Sequence, residues 1–104
     1  MNEQLVADLK AAKALIDTPE KWTKGRLRLR DKYGKVCAMC SIGAIYTAAE
    51  ELLGPRHDAA RDAFRAATGC LPFDSVPEWN DAPERTHAEV MAAFDKAIAS
   101  AEAQ

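Results

Sequence analysis

Two cysteines three positions apart, Cys37 and Cys40, form the spacing in this chain that most directly invites chemistry. A Cys-x-x-Cys pair where a helix begins can run thiol–disulfide exchange, because a helix N-terminus favours the thiolate. Such pairs belong to βαβ scaffolds, and this sequence offers at most one hairpin. The pair is equally half a zinc site, which Cys70 with His57 or His87 would complete as a Cys₃His set. No second Cys-x-x-Cys or Cys-x-x-His follows, and helices with good apolar stripes need no metal to fold. The pattern therefore reads as Cys40 packed in the core and Cys37 incidental, with no metal and no cofactor.

A second group is acidic. Asp74, Glu78, Asp81, Glu84 and His87 lie close in sequence, and paired carboxylates can do general acid–base work. Loop spacing alone sets no separation between them. Asn80 and Asp81 are better explained as turn residues whose side chains bond the neighbouring backbone. Trp79 is expected to plug the core with its indole N–H paired, and His87 to stand exposed beside a helix cap. No nucleophile–base pair can be named, so an enzyme ranks third among the readings.

The third group is basic. From Lys21 to Lys35 there are seven cationic residues against Asp31 alone, a net of +6 in a chain whose formal charge is −2. Arg26, Arg28 and Arg30 alternate with Leu27 and Leu29, which in an extended strand puts three guanidinium forks on one face. Such forks suit phosphates or carboxylates, and Trp22 and Tyr33 flank the run as stacking surfaces. Two purely structural readings compete: a solvated strand edge that resists aggregation, and internal neutralisation by the acidic loop. The acidity of the remaining chain argues against broad nucleic-acid affinity, which comes mainly from neutralising phosphates.

The elements that must position these residues are mostly helical. The 104 residues suit one domain, 1–104, and 48% hydrophobic with 29% charged residues is a globular composition. No apolar run approaches the roughly 20 residues of a membrane span, and the N-terminus lacks the pattern of a secretion signal. An odd cysteine count without such a signal points to the cytoplasm. Leu5, Leu9, Ala12 and Ile16 mark a first helix, stopped at Asp17-Thr18-Pro19, where Thr18 can cap a short turn. Arg26–Arg30 and Lys35–Ala38 follow as a small hairpin around Asp31–Gly34. Ile42, Ile45, Tyr46, Ala49, Leu52 and Leu53 line a second helix ended by Gly54-Pro55. A third runs from about His57 to Thr68 and stops at Gly69. The stretch through Val76-Pro77-Glu78-Trp79-Asn80-Asp81 reads as a non-helical loop of fixed shape. A Thr86–Glu89 capping box then opens a fourth helix carrying Val90, Met91, Phe94, Ala97 and Ile98. The fold class is mainly α: a compact four-helix domain with a short β-hairpin inserted between helices 1 and 2.

Trp22-Thr23-Lys24-Gly25, Cys40-Ser41-Ile42-Gly43-Ala44 and Trp79-Asn80-Asp81, followed by Arg85-Thr86 and a final helix, resemble the ordered landmarks of an uncharacterised family of small bacterial and phage proteins. The likeness extends from about Trp22 to Ala101, and Cys37 is not part of the pattern. The resemblance implies no reaction, cofactor or catalytic residue, and adds a phage or prophage context. The leading expectation is a non-enzymatic interaction protein that occupies a surface on a larger protein or ribonucleoprotein. By analogy with that context it would be an inhibitor of host defence, such as an anti-CRISPR protein. Its partner-binding residues would be Lys24, Arg26, Arg28, Arg30 and Lys32, with Trp79, Asn80 and Asp81 as a structural loop. A nucleic-acid-binding accessory domain is the alternative. Self-association stays open, and no membrane partner is expected.

Overall fold

The computed structural model describes residues 2–50, 54–69 and 75–104. Helix α1 (Glu3–Leu15) is followed by a 3₁₀ turn (Pro19–Lys21), strands β1 (Arg28–Arg30) and β2 (Val36–Met39), and helices α2 (Ser41–Ala48), α3 (Pro55–Thr68), α4 (Val76–Asp81) and α5 (His87–Glu102). The described chain is thus mainly helical with an antiparallel hairpin between α1 and α2, as the sequence implies. It holds five helices rather than four. No described helix is long and apolar enough to cross a membrane.

The extra helix is α4, in the segment that Pro77 and its polar neighbours make read as a non-helical loop. Pro77 sits in its first turn, where a missing N–H has no intrahelical partner to lose. Ser75 accepts from the Glu78 backbone N–H while Glu78 reaches back to the Ser75 N–H, a capping box that overrides the loop-like composition. The same device at Thr86 and Glu89 opens α5 where the sequence places it.

Helix α2 is shorter than its apolar stripe suggests. It ends at Ala48, and Glu50 takes a left-handed φ of 59°; Leu52 and Leu53 lie outside the described residues. Gly54-Pro55, read as the end of α2, instead starts α3, with Gly54 as N-cap and Pro55 in the first turn. Gly69, at φ 70°, closes α3 in the left-handed conformation that glycine adopts without strain.

Leu9, Ala12 and Ile16 of α1 meet Ile42, Ala44 and Ile45 of α2, Ala60 and Phe64 of α3, and Val90, Phe94, Ala97, Ile98 and Ala101 of α5 in one core. Phe64 and Phe94 stack with centroids 4.4 Å apart. Among the described residues one carboxylate enters this interior: Asp8, 4% exposed, takes Nε of Arg56 at 3.1 Å and Nη2 at 2.7 Å, tying α1 to α3. A two-point fork of this kind offsets the desolvation of a buried carboxylate.

The hairpin pairs Arg28 with Met39, Leu29 with Ala38 and Arg30 with Val36, leaving Cys37 as the extra residue of a bulge. Regular strand geometry covers only Arg28–Arg30, so the five-residue alternation of arginine and leucine is not realised. Arg28 is half-buried and Leu27 is 41% exposed.

Candidate functional site

The base of the hairpin is built by the three short motifs that sequence inspection singles out. Asn80, fully buried on α4, accepts at Oδ1 from the Trp22 indole N–H at 2.7 Å, the Ser41 backbone N–H at 3.0 Å and the Ser41 hydroxyl at 2.6 Å. Its Nδ2 donates to the Thr23 carbonyl and to Asp81 Oδ1, both at 3.0 Å. Asp81 Oδ1 also accepts from the Gly25 N–H at 2.9 Å, and Lys24 Nζ donates to the Ala82 carbonyl at 2.7 Å, near the C-terminal end of α4. Asn80 and Asp81 therefore bond a distant segment, not the neighbouring backbone expected of turn residues. Asn80 satisfies both ends of its amide inside the protein, which is what keeps a buried polar side chain from destabilising the fold.

Gly43 completes this base. The Leu27 carbonyl lies against it so closely that any Cβ there would overlap the carbonyl oxygen. The same oxygen accepts from the Cys40 N–H at 3.2 Å. Cys40 caps α2 by accepting from the Gly43 N–H at its sulfur.

Trp79 is half-buried and packs against the core as expected, meeting Phe64 edge-on at 5.6 Å, with Arg85 over its ring at 4.0 Å. The indole N–H with a buried hydrogen-bond partner is that of Trp22, on Asn80. His87, expected exposed, is half-buried and donates from Nε2 to the Ile16 carbonyl at 2.8 Å, tying α5 to the end of α1.

The predicted basic face is divided. Lys24 is committed to the end of α4 and lies 5.5 Å from the Trp22 ring centroid. Arg28 folds back onto α2, giving Nε and Nη2 to Thr47 Oγ1 at 3.3 and 2.9 Å. Arg30 is exposed and donates to the Gly34 carbonyl; Lys32 is exposed and lies 5.2 Å from the Tyr33 ring centroid; Arg26 is exposed. Arg28 thus does not share a face with Arg26 and Arg30. Lys35, also exposed, belongs with them, although it falls outside the Arg-Leu alternation that marks the others.

What sequence inspection could not supply is the apolar part of this surface. Among the described residues the exposed large hydrophobics are Leu27, Tyr33 (78% exposed) and Val36, all in the hairpin. The Asp31 carboxylate, the sole anion there, accepts the Tyr33 and Lys35 backbone N–H groups and shapes the turn. Internal neutralisation does not occur among the described residues: Arg26, Arg30, Lys32 and Lys35 make no ion pair, and neither do Glu78, Asp81 and Glu84. Asp74 lies outside the described residues.

The chemical alternatives are placed as follows. Cys37 is exposed and Cys40 buried, and burial pushes the Cys40 thiol up, opposite to the lowering expected at a helix N-terminus. Cys70 lies outside the described residues, and no three His, Cys, Asp or Glu among the described residues gather as a metal-holding group. His57, in the third helix, is 1% exposed, packs 4.2 Å from the Tyr46 ring and bonds Asp58 through Nδ1 at 3.1 Å. Its Nε2 is the one buried side-chain polar atom without a partner among the described residues.

The arrangement can present cations and apolar side chains on a small projection; among the described residues it does not place a nucleophile against a base. Compared with known proteins, no curated protein and no solved structure matches the chain. Residues 1–100 match a family of unknown function (DUF6197), so the chain belongs to that family.

Proposed function

We propose that this protein is a non-enzymatic interaction domain that docks its hairpin onto an acidic surface of a larger protein. The single observation that carries this reading is the coincidence of all the described exposed large hydrophobics with four cations outside any ion pair on one hairpin. Apolar anchors surrounded by charge are the anatomy of a docking surface, in which the apolar groups give affinity and the charges steer and orient. Exposed Leu27 and Val36 favour a protein partner, because phosphates offer them nothing. The bacterial and phage context implied by the sequence landmarks extends the proposal to an inhibitor of host defence such as an anti-CRISPR protein, acting on a protein or ribonucleoprotein.

A second reading, binding of single-stranded nucleic acid, is favoured by Tyr33, which offers a stacking surface beside Lys32. One experiment treats both. The wild type and an Arg26→Glu/Arg30→Glu/Lys32→Glu variant, with Arg28 kept, are used for affinity capture and for titration with single-stranded DNA and RNA at rising salt. A protein retained by the wild type and lost with the variant supports docking. Oligonucleotide binding that falls steeply with salt supports the second reading. Equal retention by both proteins removes the hairpin from consideration.

A further inference from the structure

The hairpin and the α4–α5 turn at its base carry opposite charges that form no ion pair with each other among the described residues. The hairpin carries Arg26, Arg30, Lys32 and Lys35, exposed and without ion pairs among the described residues. Beside its base, α4 and the turn into α5 carry Glu78, Asp81 and Glu84, exposed and likewise without a cationic partner among the described residues. Two bonds fix the adjacency: the Gly25 N–H on Asp81 at 2.9 Å, and Lys24 Nζ on the Ala82 carbonyl at 2.7 Å. The carboxylates of Glu78 and Asp81 accept from neutral donors, which leaves their charge in place.

A positive patch held rigidly beside a negative one is self-complementary. A two-fold axis between two such surfaces lays each positive patch on the other's negative one, closing the contact in a single pair. The formal net charge of −2 sets up little long-range repulsion between copies. Leu27, Tyr33 and Val36 supply the apolar surface that such a contact would cover.

We propose that the hairpin's occupant in the free protein is a second copy of this chain, in an isologous dimer with the hairpin of one protomer on the α4–α5 turn of its partner. This rests on the reading of the hairpin as a docking surface and adds a regulation to it: self-pairing covers the surface until a more acidic partner displaces the second copy. A patch of this size gives a weak, concentration-dependent dimer, held largely by charge.

Sedimentation velocity of the full chain over a concentration series, at low and at high salt, reads this out. Dimer should grow with concentration at low salt and dissociate at high salt. A Lys32→Glu/Lys35→Glu variant and a Glu78→Gln/Glu84→Lys variant, the glutamine preserving the capping box, should each be monomeric with an unchanged helical spectrum. Mixed, they should form a heterodimer, because one contact is then the unaltered pairing and the other no longer sets like charges together. A wild type monomeric at every concentration overturns self-pairing, as does a dimer that survives high salt or either reversal. In those cases loss of a captured partner on hairpin reversal still upholds the docking reading, whereas unaffected capture removes both.

Discussion

The indole N–H of Trp22 and the side-chain oxygen of Asn80 meet at 2.7 Å across 58 positions of sequence. The same oxygen takes both donors of Ser41, so one amide joins the segment entering the hairpin, the helix leaving it and α4. The hairpin is thereby held by a hydrogen-bonded hub at its base rather than by its own short strands.

Removing that hub should be costly. Asn80→Ala leaves the Trp22 N–H, the Ser41 N–H and the Thr23 carbonyl without their partner, and an unpaired buried group costs about 1–3 kcal/mol. The combined loss is expected at about 3–5 kcal/mol, since neighbouring losses do not add fully, and urea unfolding measures it. Ser41→Ala, which removes one donor, should lose about 1 kcal/mol. Equal effects from the two variants would contradict Asn80's place at the centre.

Gly43→Ala tests the close approach of Leu27. The added methyl must displace the Leu27 carbonyl, a change of the overpacking kind that destabilises by about 1–3 kcal/mol. Hydrogen exchange should show the loss of protection at the Cys40 N–H, which bonds that carbonyl, ahead of the α1 and α5 core. A neutral substitution would mean that the strand entry does not lie on α2.

The thiols should separate by reactivity. Cys37 is exposed, while burial pushes the Cys40 thiol above its ordinary value and keeps it protonated at neutral pH. A thiol reagent at neutral pH should therefore modify Cys37 in the native protein and Cys40 only on unfolding. Mass spectrometry of the labelled peptides checks this, and rapid labelling of Cys40 would revive a redox role.

Glu89 should shape the acid limb of stability. The Thr86 backbone N–H, with the Thr86 hydroxyl and Arg85 behind it, holds the Glu89 carboxyl below the usual glutamate range. A carboxyl whose folded value is lowered contributes stability that is complete above its unfolded value and fades as pH falls through the folded one. Melting temperatures of the wild type and Glu89→Gln should differ at neutral pH and converge in acid. Parallel curves would show that the charge at this cap does not matter.

The elements that sequence made legible are those governed by local chemistry. The Thr86–Glu89 box, Gly69 as a stop and the Asp31–Gly34 turn of the hairpin each produce an element near its expected place. The misses arise where local signals point two ways. Pro77 reads as a breaker, yet in a first turn after a capping serine it starts a helix. Gly54-Pro55 is as good a start as a stop, and it starts α3. Arg28 looks like its neighbours Arg26 and Arg30, but only tertiary packing brings Thr47 within reach of its guanidinium. Asp8 and His57 carried no sequence signal of burial, because their partners on other elements or in the core are set by the fold.

Asn80 reaches back 58 residues to Trp22, 57 to Thr23 and 39 to Ser41, which sets an order of events as well as a geometry. Strands of three and four residues do not hold themselves in water. While the chain is being synthesised, the hairpin is therefore exposed but has no fixed orientation until α4 has emerged and folded back. Closing loops that long is the slow part of folding. The hairpin thus takes up its fixed orientation late, after most of the chain has left the ribosome.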